Sequence, residues 1–149
     1  QPTEEKGYIV IRKAWEEGDK VELDLPMPVE KIVANPAVKE DLGKIALQRG
    51  PLLYCFEEED QYAPLRLIYL TLDGEFKPKW EGELLGGIVV LDGTGRASDG
   101  LEWKDELYQP TPTKVKEVKV RAIPYYAWDN REPRAMKVWM PLYPPAIWE

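Results

Sequence analysis

The chain of 149 residues and 17.2 kDa is long enough for one domain with a buried core. Its 27 acidic and 20 basic residues give a net charge of −7, which disfavours nucleic acid as a partner because like charges repel. The single cysteine excludes an internal disulfide, and the absence of histidine excludes a Ser-His-Asp triad and a histidine-ligated zinc site.

No apolar run approaches the roughly 20 residues of a membrane span, so a soluble protein without a membrane partner is expected. The chain begins at Gln1 without a signal peptide, and this start is typical of a cut inside a longer protein. The compartment is unknown from such a piece. A cytoplasmic location is the expectation, and an exported parent stays open.

Short runs of alternating apolar and polar residues predict strands along the whole chain. The eight predicted strands are Tyr8–Arg12, Lys20–Leu25, Lys44–Gln48, Leu52–Phe56, Leu65–Leu70, Gly87–Leu91, Val115–Arg121 and Met136–Met140. The 14 prolines and 11 glycines disfavour long helices, and only Ser98–Tyr108 suits one or two helical turns. The pattern predicts an all-β fold, an antiparallel two-sheet β-sandwich of jelly-roll-like kind.

Two features suggest how the strands are arranged. Pro26-Met-Pro28 separates residues 1–28, which form either the closing hairpin of a preceding β-sandwich or the first strands of this one, from a C-terminal sandwich of residues 29–149. Lys114, Lys116 and Lys119 give the Val115–Arg121 strand a charged outward face, which is typical of an edge strand.

Three polar or reactive stretches are interpreted as structural. The acidic run Glu57–Asp60 follows a strand and resembles a solvated loop more than a catalytic pair or a calcium site. Cys55 lies in an apolar strand among acidic neighbours, which favours a buried, unreactive thiol. Asp92–Gly100 is glycine-rich but lacks the lysine and serine of a phosphate-binding loop, so a long flexible connection is expected. No catalytic residue, metal ligand or cofactor is assigned to this chain.

The aromatic residues offer the best candidate binding site. Tyr108, Tyr125, Tyr126 and Trp128 are the predicted members of a platform on which sugar rings would stack. The alternative is structural: residues 125–134 form a corner between two strands, and Asp129, Asn130 and Arg131 bond the turn and pair charges. In that interpretation Trp139 is a core residue of the last strand.

Several motifs together resemble the C-terminal part of glycoside hydrolase family 127, which contains β-L-arabinofuranosidases. The matching stretches, in order, are Trp15-Glu-Glu-Gly-Asp19, Val21-Glu-Leu-Asp-Leu-Pro-Met27, Lys44-Ile-Ala-Leu-Gln-Arg-Gly-Pro-Leu-Leu-Tyr-Cys-Phe-Glu57, Ile123-Pro-Tyr-Tyr-Ala-Trp-Asp-Asn-Arg131 and Met136-Lys-Val-Trp139. They cover the chain from about Gly7 to Met140.

The resemblance implies that catalysis occurs elsewhere. The family's active site lies in an N-terminal (α/α)6 barrel, where a zinc-bound cysteine is the nucleophile and glutamates complete the site. Cys55 instead matches a strand of the sandwich region, so the resemblance assigns it no catalytic role. The chain is then expected to be a non-catalytic accessory domain whose partners are the barrel and a second copy in a homodimer. The alternative is a carbohydrate-binding module for arabinose-containing glycans.

Overall fold

A computed structural model describes residues 2–98, 107–108 and 114–143 of the chain. The strands in this part are β1 (Thr3–Glu5), β2 (Tyr8–Val10), β3 (Val29–Ile32), β4 (Lys44–Arg49), β5 (Leu52–Glu57), β6 (Ile68–Tyr69), β7 (Phe76–Glu81), β8 (Ile88–Ser98), β9 (Val115–Pro124), β10 (Met136–Lys137) and β11 (Met140–Pro141). Single turns of 3-10 helix lie at Lys39–Asp41, Glu58–Asp60, Leu65–Leu67 and Tyr125–Ala127. None of the helices in the described ranges is long and apolar enough to cross a bilayer.

One large antiparallel sheet forms the body of the domain. Its main path runs β11-β4-β5-β9-β8-β6, while β3, β10 and β7 pair beside β4, β5 and β8. The two ends of this path meet, because Leu70 forms a parallel bridge with Leu142 and accepts a hydrogen bond of 2.8 Å from the Tyr143 amide. The sheet therefore curls around its own core, and the predicted all-β sandwich is confirmed.

Alternation along the strands divides the apolar residues between two clusters. Tyr54 and Phe56 of β5 point into the main core between the curled halves, with Leu91 of β8 and Val120 of β9. Cys55 points the other way and packs in a smaller cluster on the outer face. The remaining buried members of that cluster are Ile88, Val90, Ile123 and Ala127.

The N-terminal region differs from the predicted hairpin. Its strands are β1 and β2, joined through Lys6 and Gly7 at φ of 53° and 81°, and they form a separate two-stranded sheet. The predicted strand Lys20–Leu25 is wrong, because this segment has no strand neighbour with which to share backbone hydrogen bonds. The division of the chain at residue 28 stays a prediction.

Strand β8 corrects the interpretation of the glycine-rich stretch. Asp92–Ser98 is not a flexible connection but the second half of an 11-residue strand that pairs with β9, β7 and β6. Two positions of this strand have no room for a side chain. A Cβ added at Gly93 would lie 2.6 Å from Phe76 Cδ1, and one added at Gly95 would lie 2.7 Å from the Tyr69 carbonyl oxygen. The predicted helical turns at Ser98–Tyr108 lie almost wholly outside the described residues.

Two other strand predictions hold only in part. Among the described residues, β8 pairs with Val115–Ala122 on one side of β9, whereas β5 pairs on the other side only with Ile123 and Pro124, so most of the predicted Val115–Arg121 strand is an edge. Lys119 shares the outer face with Arg121, but Lys116 lies on the same face as Val118 and Val120. The Met136–Met140 run divides into β10 and β11, so the bend at Val138 leaves Trp139 only half-buried while Met140 is fully buried. The sequence also did not predict β7, whose Pro78 and charged residues disguise a strand.

Candidate functional site

The C-terminal corner is built directly after β9. Pro124 is buried and ends the strand, and a turn of 3-10 helix follows, in which the Trp128 amide donates to the Tyr125 carbonyl at 3.2 Å. Asn130 Nδ2 then donates to the carbonyl oxygens of Ala127 and Trp128 at 3.1 and 3.0 Å. The predicted use of Asn130, bonding the turn backbone, is confirmed.

Arg131 anchors this corner to the acidic run after β5. Its guanidinium donates to both carboxylate oxygens of Asp60, at 2.9 and 2.6 Å, and also to Glu57. Glu57 is only 6% exposed and accepts a further hydrogen bond of 3.1 Å from the Asp129 amide. The pKa of Arg131 lies above its ordinary value because Asp60, and to a smaller extent Glu57, form hydrogen bonds with its charged form.

These contacts correct the prediction of a solvated acidic loop. Glu57 and Asp60 are largely shielded from solvent because Arg131 compensates their charge. The predicted charge pairing of Arg131 is confirmed. Sequence reasoning did not find its partners, since they lie more than seventy positions away and no local pattern links the two segments.

The corner brings three of the four candidate aromatic residues together. Tyr125 and Trp128 are stacked, with ring centroids 5.8 Å apart at 27°, and Tyr126 lies on the same turn with 64% exposure. Because the first two rings face each other, each has only one face free for a ligand. Tyr108 is 88% exposed and makes no ring contact with the other three in the described part of the chain.

The outer apolar cluster supports the corner from beneath. Ala127 packs with Cys55 and Ile123, and Leu84, Leu85, Met136 and Val138 surround them. Cys55 is fully buried, and this burial, followed by the charge of Glu57, raises the pKa of its thiol to about 12. The predicted burial of the cysteine is confirmed.

A polar groove lies next to the corner on the same outer face. Three strands contribute one cross-strand row, Lys77 of β7, Asp92 of β8 and Arg121 of β9. The next row contains Thr94 and Lys119, and residues 59–62 form a wall around a volume of about 830 Å³. The sequence did not reveal this groove, because β7 was not predicted and Asp92 was placed in a loop.

Hydrogen bonds keep the groove in place. Arg121 donates to Asp92 from Nε at 2.6 Å and from Nη2 at 2.8 Å, and these bonds hold the pKa of Arg121 above its ordinary value. Gln61 Nε2 donates to the Arg121 carbonyl at 2.8 Å, while Gln61 Oε1 accepts from the Arg121 amide at 3.2 Å. The wall is therefore tied to β9.

Two carboxylates at the groove are already engaged by other side chains. Asp60 and Asp92 each accept two hydrogen bonds from an arginine. Within residues 2–98, 107–108 and 114–143, no group of three or more cysteine, aspartate or glutamate side chains is arranged to hold a metal ion.

Comparison with known proteins gives one consistent relationship. The curated Non-reducing end beta-L-arabinofuranosidase of Bifidobacterium longum subsp. longum is 33% identical over 138 residues, which cover 88% of this chain and 20% of that protein. This chain thus spans about a fifth of the length of the curated relative it matches.

Solved structures agree with this relationship. A GH127 β-L-arabinofuranosidase from Geobacillus stearothermophilus T6 superposes with a TM-score of 0.75 at 45% identity, over 78% of this chain and 18% of that one. A structure described as a glycoside hydrolase gives 0.69 at 38% identity, covering 78% of this chain and 19% of that one. The profile of the glycoside hydrolase family 127 C-terminal domain matches residues 29–141. With most of its length matched, this chain belongs to glycoside hydrolase family 127, whose C-terminal domain it contains.

Proposed function

We propose that this chain is the non-catalytic C-terminal accessory sandwich of a β-L-arabinofuranosidase-like glycoside hydrolase. It packs against the catalytic barrel of the parent enzyme and stabilises it. Two findings support the proposal: the family match, and the fact that the chain spans about a fifth of its curated relative. A homodimer formed through this domain is part of the proposal, and sedimentation of the parent with and without residues 29–149 tests it.

An apolar row near the N-terminus supports the proposed packing against the rest of the enzyme. Val21, Leu23 and Leu25 are 59%, 66% and 69% exposed, and they alternate with Glu22 and Asp24. Such alternation is typical of a strand with one buried face, yet this segment forms no strand in the described structure. The upstream part of the parent would supply both the missing strand neighbour and the apolar cover. The row is then a joint between this sandwich and the rest of the enzyme.

Catalysis belongs to the absent barrel in this proposal. The zinc that the family resemblance implies does not suit the described residues, because histidine is absent and the one cysteine is buried with its pKa raised to about 12. The retaining reaction and its nucleophile are assigned to the barrel for the same reason. The 149-residue chain alone is expected to leave an aryl β-L-arabinofuranoside uncleaved.

A charge placed in the apolar row tests the packing role. Leu23→Asp in the full-length parent should lower its Tm and its arabinofuranosidase activity, because a carboxylate would be buried at the joint. Leu72→Asp, at another leucine that is 61% exposed, is the matched control and should change little. In the 149-residue chain alone, both variants should be neutral. A full-length Leu23→Asp enzyme with unchanged Tm would rule out the joint.

Sugar binding at the corner is the second candidate function. It is favoured by the exposed, stacked pair Tyr125 and Trp128, with Tyr126 beside them and Tyr108 as the fourth predicted member. L-Arabinose oligosaccharides should then quench tryptophan fluorescence saturably, and Trp128→Ala should abolish the effect. Trp80→Ala removes a more exposed ring from β7, 64% against 38% for Trp128, and should leave the quench intact. A quench that survives Trp128→Ala would refute this candidate.

A further inference from the structure

We propose that the polar groove beside the corner is a second ligand site, and that it binds a neutral saccharide. It lies between the wall of residues 59–62 and the outer face of β7, β8 and β9. Neither the packing role nor the aromatic corner uses it. The site would therefore add a separate binding activity to the accessory domain.

The size and the floor of the groove suit a small carbohydrate. Its volume of about 830 Å³ falls in the range of roughly 300–1,000 Å³ that is usual for small-molecule sites. The floor is a regular sheet surface, on which Asp92 pairs with Arg121 and Thr94 pairs with Lys119 across β8 and β9. Acceptors and donors therefore stand opposite each other at strand spacing, about 4.5–5.5 Å.

The balance of charge selects against charged ligands. Four carboxylates and three cations line the groove, and Arg131 compensates the carboxylate of Asp60 from behind. Arg121 neutralises Asp92, and Lys77 lies 3.9 Å from Glu75. A strongly anionic or cationic ligand would thus lie near side chains of its own charge. Vicinal hydroxyl groups, which both donate and accept hydrogen bonds, match this mixed lining without adding charge.

The groove is also organised before any ligand binds. Gln61 joins the wall to β9, and Arg121 is fixed by its two bonds to Asp92. Gln61 and Arg121 would therefore lose little side-chain order on binding, which favours affinity. Tyr62 lines the groove with a ring that is 79% exposed, so one aromatic face is available to the C–H face of a sugar.

Amide chemical shifts of the 149-residue chain distinguish this site from the corner. Titration with L-arabinose, D-galactose and D-glucose should give, for at least one of them, saturable shifts at Gln61, Thr94 and Lys119. D-Galacturonic acid and D-glucosamine should bind several-fold more weakly than that sugar. Absence of shifts in the groove with all three neutral sugars, shifts confined to Tyr125–Trp128, or tighter binding of a charged sugar would each overturn the proposal.

Two substitutions localise the effect. Tyr62→Ala and Lys119→Ala should each weaken binding about tenfold, roughly the effect of losing one good contact. Tyr8→Ala is the matched control, because that ring is 76% exposed and lies on β2. Native shift dispersion shows that each variant is folded. Unchanged affinity in both groove variants would overturn the assignment. The result is independent of the packing role, which is read from the Tm and activity of the full-length parent.

Discussion

Arg131 and Asp60 are 71 positions apart in the chain, yet their side chains form a bidentate pair at 2.9 and 2.6 Å. The same guanidinium also compensates the buried carboxylate of Glu57. One cation therefore joins the turn after β5, which forms the groove wall, to the corner after β9, which carries the aromatic residues.

Removal of this cation should be costly. Arg131→Met would leave Glu57 buried without its charged partner, and we expect the free energy of unfolding to fall by about 3–5 kcal/mol. Urea denaturation measures the change. Arg12→Met is the matched control, because Arg12 pairs with Glu5 at 2.7 Å but is 71% exposed, and it should cost less than about 1 kcal/mol. Equal effects of the two variants would contradict the buried role of Arg131.

Strand β8 should not tolerate a side chain at Gly93. In Gly93→Ala the new Cβ would lie 2.6 Å from Phe76 Cδ1 and 2.7 Å from the Glu75 carbonyl oxygen, so β7 would have to move. We expect a loss of about 1–3 kcal/mol by thermal or urea unfolding. Gly82→Ala, whose nearest new contact is Trp80 Nε1 at 3.3 Å, should cost clearly less. The packing argument fails if Gly93→Ala is as stable as the unsubstituted 149-residue chain.

Cys55 should behave as a neutral, inaccessible thiol. Because burial raises its pKa from the ordinary 9.0 to about 12, iodoacetamide should label it slowly in the native chain and rapidly in urea. Mass spectrometry follows the labelling. Rapid alkylation of the folded chain near neutral pH would show that the thiol is accessible after all.

The same shift predicts a dependence of stability on alkaline pH. The folded state disfavours the thiolate, so the contribution of Cys55 is fully present below pH 9.0 and is lost as pH rises toward about 12. Cys55→Ala should lack this component, although it is less stable overall because of the cavity. Unfolding curves on either side of pH 9.0 measure the difference. If the stability of both chains fell equally as the pH rose above 9.0, the raised pKa of the Cys55 thiol would be contradicted.

Deletion of residues 2–25 should leave the large sheet intact. Nearly all side chains in this segment are exposed, and β1 and β2 pair only with each other. Met27 must be kept, because it packs against Gly50 and accepts a hydrogen bond from Arg49 at 3.7 Å. We expect the Tm of the truncated chain to change by less than about 4 °C, equivalent to less than about 1 kcal/mol. A larger drop would make the segment an integral part of this fold.

Sequence reasoning succeeded where the pattern was local. The strands Lys44–Gln48 and Leu52–Phe56 were predicted within one residue of the observed β4 and β5, because each is a short, mostly apolar run bounded by polar or turn residues. Cys55 was placed correctly for a similar reason: both residues next to it in the strand, Tyr54 and Phe56, are aromatic. The prediction of Lys20–Leu25 failed because alternation shows a face that is to be buried but does not supply the strand that pairs with it.

Contacts between distant segments were beyond such reasoning. Glu57 and Asp60 look like surface charges until the corner folds over them with Arg131, and Asp92 looks like a loop residue until β9 pairs with β8. The groove depends on the register of three strands, one of which was not predicted. Register is decided by which faces the whole sheet buries, so a single segment does not specify it.

The sequence by itself determined the all-β class, the acidic and histidine-free chemistry and the family, since these depend on composition, alternation and short motifs. Only the tertiary structure decided that one sheet closes on itself through Leu70 and Leu142, that Arg131 buries Glu57, and that Lys77, Asp92 and Arg121 form one row. The physical reason is distance along the chain. Alternation sets which way a side chain points, whereas its partner is set by packing among strands that lie tens of residues apart.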